Sequence, residues 1–364
     1  MRCFSLAAGI FTPLLLLSLT HPGSAQAPEP SRISGPVVYE NLAIYFIHGN
    51  SAPGKVPLTL EEAIARGTVK VIETSNVNQL EIENLGDEEV FVQSGDIVKG
   101  GKQDRTLMVS LLLPPRSGAI PIAAFCVEEG RWTARGREDA KSFSAASASV
   151  PSRELKLAMK APVAAAPSAE TGISPSRGRA SNRDAADTGA RQQHVWESVR
   201  ATQSKLAGSL GGSVRSTQSI SSLQLSLENE ELKDAQRGYL EALKAAGEQE
   251  NDIVGFAFAV NGTINSADVY PSNGLFRKMW AKLLTAGVIE AIGHRNEPVV
   301  PVPAVDAVHA FLAAAESGKS NETTLNAGAR LETREAEKAY LFEAARVASP
   351  STPASWVHRN YLAK

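Results

Sequence analysis

The chain has 364 residues, 43% of them hydrophobic, and its 37 Lys and Arg against 39 Asp and Glu leave a formal charge of −2 and a pI near 6.4. That balance gives no electrostatic footprint for nucleic acid or an anionic membrane, so neither is expected as a partner. The length is ample for burying an apolar core without covalent staples.

Met1-Arg2, an apolar stretch from Leu6 to Leu19 and the small residues Gly23 to Ala27 have the layout of a secretory signal peptide. A cut after Ala27 would put Pro28 beyond the scissile bond, so the cut is expected after Ala25, making 1–25 the signal. This predicts an exported protein, periplasmic or extracellular. The apolar core is too short for a membrane span, and no later stretch approaches the roughly 20 apolar residues a span needs. A soluble mature chain is therefore expected. Cys3 leaves with the signal, Cys126 is then the only thiol, and no internal disulfide can form.

In chain order, Val37 to Ile47 is rich in β-branched and aromatic residues and predicts a first strand. Thr59-Leu60-Glu61-Glu62 matches a capping box, and Gly67 a left-handed stop, which frames a short helix from Leu60 to Arg66. Val69 and Val71, then Leu80 and Ile82, alternate with polar residues at the period of a half-wet sheet. Val90 to Gln93 predicts another strand, Leu107 to Leu113 one strand buried on both faces, and Ile120 to Val127 its return. This part, 33–135, reads as a β-rich sandwich or partly closed barrel.

From 136 to 191 the composition turns to Ala, Ser, Pro, Gly and Arg, which predicts a disordered insert whose start, Phe143 to Met159, packs weakly on the body. Order resumes over 192–364, completing the same domain. Gln192 to Leu206 and Glu228 to Ala246 form a helical pair, and Ile253 to Val260 and Thr263 to Tyr270 a hairpin around Asn261-Gly262. Pro271 to Ala286 and Ala304 to Glu316 are predicted helices, and Ala329 to Val347 and Trp356 to Leu362 strands joined by a Pro350 to Pro353 turn. The expected fold class is α+β.

The densest polar segment is Ser94 to Arg105. It is not a P-loop, because Gln103 follows Gly101-Lys102 and Asp96 stands where the first Gly belongs. Gly100 and Gly101 can still turn backbone amides into one concavity, with Lys99, Lys102 and Arg105 supplying charge and Gln103 orienting an anion. Asp104 and Glu128 are the candidate acid/base pair, with Arg131 and Trp132 beside them at a strand end. Asp268, as a cap or an acid, and His358, in the alternating His358-Arg359-Asn360-Tyr361 terminus, complete the candidate ligand-binding set. Cys126, between Phe125 and Val127, is expected to be an inert buried thiol. With no HExxH or CxxC spacing, neither a metal nor a cofactor is indicated. No G-x-S-x-G elbow is present, which argues against that serine-hydrolase type and leaves other nucleophile arrangements open.

Five segments agree in order with one family: SGDIVKGGKQDRT (Ser94 to Thr106), IPIAAFCVEEGRW (Ile120 to Trp132), HVWESV (His194 to Val199), NGTINSADVY (Asn261 to Tyr270) and VHRNYLAK (Val357 to Lys364). On these the chain resembles the ARG and rhodanese-phosphatase-superfamily-associated protein family, over Ile33 to Trp132 and Gln192 to Lys364. The association in that name implies a link to nucleotide or ADP-ribose metabolism and carries no assigned reaction. The leading expectation is a domain binding an anionic small molecule, of nucleotide-sugar or ADP-ribose type, at the Gly-Gly turn. The alternative is an extracytoplasmic structural or protein-interaction module with the insert as tether.

Overall fold

A computed structural model describes residues 32–160, 177–325, 328–348 and 354–364, so the expected signal peptide and the Pro350 to Pro353 turn lie outside the described residues. The chain opens with β1 (Arg32–Tyr39), β2 (Leu42–His48) and the two-residue β3 (Leu58–Thr59), which runs into helix α1 (Leu60–Ala65). Then come β4 (Val69–Asn76), β5 (Gln79–Asn84), β6 (Val90–Val92), β7 (Asp96–Gly100), β8 (Arg105–Leu107), β9 (Leu111–Leu113) and β10 (Gly118–Cys126). β11 (Phe143–Ser149) leads to four helices: α2 (Arg153–Lys160), α3 (Arg177–Leu210), α4 (Leu223–Leu227) and α5 (Glu230–Leu243). The hairpin β12 (Ile253–Val260) and β13 (Thr263–Val269) is followed by α6 (Asn273–Gly293), α7 (Val305–Glu316), β14 (Lys319–Thr324), β15 (Ala329–Glu335), β16 (Ala339–Arg346) and β17 (Ser355–Ala363). The fold is α+β, and among the described residues no helix is long and apolar enough to cross a membrane.

The strands form an eight-stranded antiparallel sheet, β1-β2-β12-β13-β17-β16-β15-β14, a six-stranded sheet, β11-β7-β8-β10-β5-β4, and a small sheet, β3-β6-β9. β2 and β12 are buried along their whole length because helices cover both faces of the large sheet. Ile44, Phe46, Phe256 and Phe258 pack towards α6, while Ala43, Tyr45, Ile47 and Ala257 pack towards α7. α6 begins at its Ser272 cap and continues past the expected end at Ala286 to Gly293. Its second half is buried from Ala286 to Ile292 and apolar apart from Glu290, which accepts a hydrogen bond from the Asn265 amide nitrogen Nδ2, so burial sustains it where an amphipathic stripe does not.

Local chemistry sets the other boundaries. The Thr59 hydroxyl accepts the Glu62 amide at 3.2 Å and the Glu62 carboxylate accepts the Thr59 amide at 2.8 Å, which is the expected capping box. Asn261 and Gly262 both have positive φ, +52° and +79°, as a type I′ hairpin turn requires. The Leu107 to Leu113 run departs from expectation. It splits into β8 and β9, which belong to different sheets, and the chain crosses between them at Met108 to Ser110. The Ser94 hydroxyl donates to the Met108 carbonyl at 2.7 Å and the Ser94 amide donates to the Ser110 hydroxyl at 2.9 Å, holding the crossing without ladder bonds.

The start of the expected insert packs on the body more fully than expected, since Phe143–Ser149 is a strand paired with β7 and Arg153–Lys160 a helix, while 161–176 lies outside the described residues. Its small Ala and Ser side chains bury Ala146 and Ala148 against the core, and α2 buries Leu155 and Met159. Phe143 sits over Gly101, where a Cβ would lie 2.2 Å from the Phe143 ring at a φ of +55°. Gly101→Ala is therefore expected to cost more than about 1 kcal/mol. Urea denaturation measures it, and an unchanged midpoint would contradict this seating of Phe143.

Candidate functional site

The acid/base candidates come together as a closed ion-pair network. The Asp104 amide donates to Glu128 Oε2 at 3.0 Å. Arg135 grips Asp104 with both terminal nitrogens, at 3.0 and 3.1 Å, and Ser222 Oγ donates to the same carboxylate at 2.8 Å. Arg131 Nε donates to Glu128 Oε1 at 2.8 Å and its Nη2 lies 2.7 Å from Oε2. Both carboxylates are fully buried. Burial alone would raise the Glu128 pKa, but hydrogen bonds from Arg131, Ser219 and the Asp104 amide outweigh it and hold the group below the ordinary carboxylate range. A general acid needs the opposite shift.

The Gly-Gly turn is likewise occupied from within. The Gly100 amide donates to Asp104 Oδ1 at 3.0 Å, and the Gly101 amide points to the carbonyls of Asp139 and Ser142. Lys99 pairs with Glu228 at 2.8 Å, and Lys102 donates to Ser75. Arg105 is fully buried beneath the half-exposed Trp132 ring, 5.5 Å from its centroid, donates to Gln103 Oε1 at 3.3 Å and lies 3.5 Å from Glu73. These residues knit β7, β8 and β10 together and present no concavity of outward-facing amides. Cys126 is fully buried, and burial pushes its thiol up to about 11, so it stays protonated at neutral pH.

Asp268 and His358 meet in a second place, on the inner face of the large sheet. Asp268 of β13 lies opposite Asn360 of β17, and His358 is two residues earlier on the same face of β17. His358 Nε2 lies 3.1 Å from Asp268 Oδ1, which also accepts Asn360 Nδ2 at 2.9 Å. On the other side of the ring, His358 Nδ1 lies 3.0 Å from the Ser110 hydroxyl. The imidazole stacks on Tyr270 at 4.9 Å between centroids and meets the edge of Phe91 at 5.9 Å, while the Tyr270 hydroxyl donates to Gln93 at 2.7 Å. Burial keeps the His358 pKa below its usual value against the pull of Asp268, so the ring is neutral. Burial opposes ionisation of Asp268, yet the His358 hydrogen bond and the charges of Lys156 and Lys160 carry its pKa below the ordinary value, so it is a carboxylate.

This group borders open space. One narrow cavity, with room for about one water-sized group, is lined by Ser110, His358, Asn360, Ser94, Lys160 and Phe342 among others. A second, equally narrow, with Asp268, Lys156, Phe256 and Phe258 in its wall, shares Ser94, Lys160 and Asn360 with the first. Lys160 Nζ donates to Asn360 Oδ1 at 2.7 Å and lies 5.2 Å from the Phe342 ring centroid. Among the described residues no carboxylate lies within ion-pair distance of it. Burial lowers its pKa to about 7, with the nearby charge of Asp268 opposing the shift and that of Lys156 adding to it.

The model of the ARG and Rhodanese-Phosphatase-superfamily-associated Protein domain, ARPP-1, matches residues 31–362. The chain belongs to this family. Comparison with curated proteins and with solved structures finds no match. The ARPP-1 match runs through both clusters and through the segment expected to be an insert.

Two further groups in this ARPP-1 domain have metal-ligand chemistry, His48 with Glu250 and Asp252, and Glu154 with Glu290 and His294. Each already holds a side-chain cation. Arg32 lies 2.7 Å from Glu250 and 3.0 Å from His48, and Lys205 lies 3.0 Å from Glu154 and 3.1 Å from His294. A narrow cavity on the other face of the large sheet is largely apolar, and its Arg359 and Tyr361 are engaged by Glu343 and Glu316.

The predicted residues thus divide between two places. Lys99, Gly100, Gly101, Gln103, Asp104, Arg105, Glu128, Arg131 and Trp132 belong to the ion-pair network, and Asp268 and His358 to the cavity. Ser110, Lys160, Lys156 and Asn360 complete the cavity group and were not expected there. The available signals were a lone hydroxyl in an apolar run, a lysine ending an amphipathic segment and the alternation around Asn360.

Arg135→Met would leave Asp104 and Glu128 buried with one guanidinium fewer, an expected loss of about 3–5 kcal/mol in chemical denaturation. The depressed Glu128 pKa contributes stability that is present above its unfolded value, near 4.5, and is lost as pH falls through the folded value. In Arg131→Met that acid-limb contribution is expected to shrink, which denaturation midpoints between pH 3 and 6 would register.

Proposed function

We propose that this domain binds a small carboxylate- or phosphate-bearing molecule in the paired cavities around Lys160. The observation that carries the reading is the Lys160 ammonium, held inside by a neutral carboxamide and an aromatic face. With Asp268 ionised and His358 neutral, Lys156 and a protonated Lys160 give the cavity lining one positive charge in excess, the state an entering anion would favour. An entering anion would supply the missing partner, and Phe256, Phe258 and Phe342 would give its apolar part a wall. The space between these walls takes about one water-sized group, so a ligand would bring in only its anionic end, and the family's association makes ADP-ribose and nucleotide sugars the first anions to try. This moves the anion site expected at the Gly-Gly turn to the sheet face. With the N-terminal leader expected from the sequence, the site would work outside the cytoplasm.

Thermal shift and calorimetric titration with ADP-ribose, a nucleotide sugar, acetate and inorganic phosphate test the proposal. At least one is expected to raise the melting temperature of the wild type, and Lys160→Met to weaken that ligand at least about tenfold. No stabilisation by any of them between pH 6 and 8 would overturn the reading. The charged groups facing Lys160 are Lys156 on α2, Asp268 on β13 and neutral His358 on β17. Because Lys160 gives up its proton near pH 7 when the cavity is empty, anion binding above that pH must take up a proton. Affinity is therefore expected to fall as pH rises from 7 to 9 in the wild type and to stay level in Lys160→Met.

A further inference from the structure

We infer that Ser110 is a nucleophile activated by His358 and Asp268, and that the molecule held at Lys160 is an ester whose acyl carbon reaches the Ser110 hydroxyl. The inference rests on the binding reading for its substrate and on separate geometry for its chemistry.

The hydrogen-bond inventory fixes the protons. His358 Nε2 faces a carboxylate oxygen at 3.1 Å and so carries the ring proton. Nδ1 is then a lone pair, and the Ser110 hydroxyl, 3.0 Å away, donates to it. One Ser110 lone pair accepts the Ser94 amide at 2.9 Å, which leaves the second lone pair unassigned. The line Ser110, His358, Asp268 is that of a nucleophile, its base and the group that orients the base. The imidazole is reversed relative to the serine proteases, with Nδ1 towards the serine, and the roles survive because each nitrogen still faces its proper partner.

Two features separate this line from a polar plug in a packed core. Ser110 and His358 both line the cavity that contains Lys160. The chain also leaves the ladder between β8 and β9 at the point where the hydroxyl is presented, and the stacked Tyr270 and the edge of Phe91 fix the ring plane.

In the step this geometry supports, Ser110 Oγ bonds to the ester carbonyl carbon as its proton passes to His358 Nδ1. The carbon–oxygen bond to the alcohol then breaks, and the departing alkoxide takes that proton. Water repeats the sequence on the acyl-serine: its proton goes to Nδ1 and on to Ser110 Oγ, releasing the acid. Asp268 stays ionised throughout as a positioning residue.

The test is phosphonylation of the full chain by a neutral alkyl fluorophosphonate, followed by intact mass and peptide mapping, with melting curves to establish folding of each variant. The expected result is one adduct on Ser110, absent in Ser110→Ala. Asp268→Asn is expected to slow labelling at least about a hundredfold and to flatten its rise between pH 6 and 8, with the shape of the site kept. Lys160→Met is expected to lose anion binding. A wild type that stays unlabelled at pH 7 to 9 while anions still stabilise it overturns the nucleophile and spares the binding reading. Labelling without anion stabilisation does the reverse. An adduct on another residue, or a labelling rate unchanged in a folded Asp268→Asn, also overturns the nucleophile inference.

Discussion

Arg135 neutralises Asp104 directly and lies 3.5 Å from Glu128, and the join between the smaller sheet and the helical part depends on that interaction. Asp104 is held at once by the Gly100 amide of β7, the Arg135 guanidinium and Ser222, whose hydroxyl also accepts the Leu225 amide as the cap of α4. One carboxylate thereby fixes the β7–β8 turn, the segment after β10 and the first turn of a helix more than a hundred residues away. Carboxylates buried this deeply survive in ionised form only where donors saturate them. The same saturation holds the Glu128 carboxyl below the ordinary range.

The cavity group has the opposite character. Its donors and acceptors are matched along the line from Ser94 to Asn360, but its charges are not, because Lys160 faces a neutral carboxamide. Polar density was therefore a poor guide to where a ligand would find an unmet need. The segment with most charges and glycines spends them on itself, while the quieter end of α2 carries an amine that, among the described residues, has no carboxylate within ion-pair distance, beside a narrow cavity.

Much of the architecture was legible in the residues. The capping box at Thr59 and the Asn261-Gly262 hairpin follow from local rules, and the α+β class follows from period-2 alternation beside helical stripes. Two features were not legible. The Leu107 to Leu113 run reads as one strand because nothing local marks a change of sheet, and Ser110 bonds to Ser94, whose position depends on that change. The Phe143–Ser149 strand reads as low-complexity sequence because its fit comes from the space left by Gly101, forty-two positions earlier. For the site, Asp268 and His358 were legible as residue types, but only their opposition across β13 and β17 makes them partners.

The ammonium of Lys160 also bears on how firmly the empty domain is folded. A lysine that titrates near 7 inside the protein and near 10.5 in the unfolded chain is a net burden on the native state at any pH where it is charged. A methionine there would fill similar space without that burden, so an empty domain gains firmness by losing the residue. Under the binding proposed above, the stability given up by keeping this lysine is what an occupied state would return.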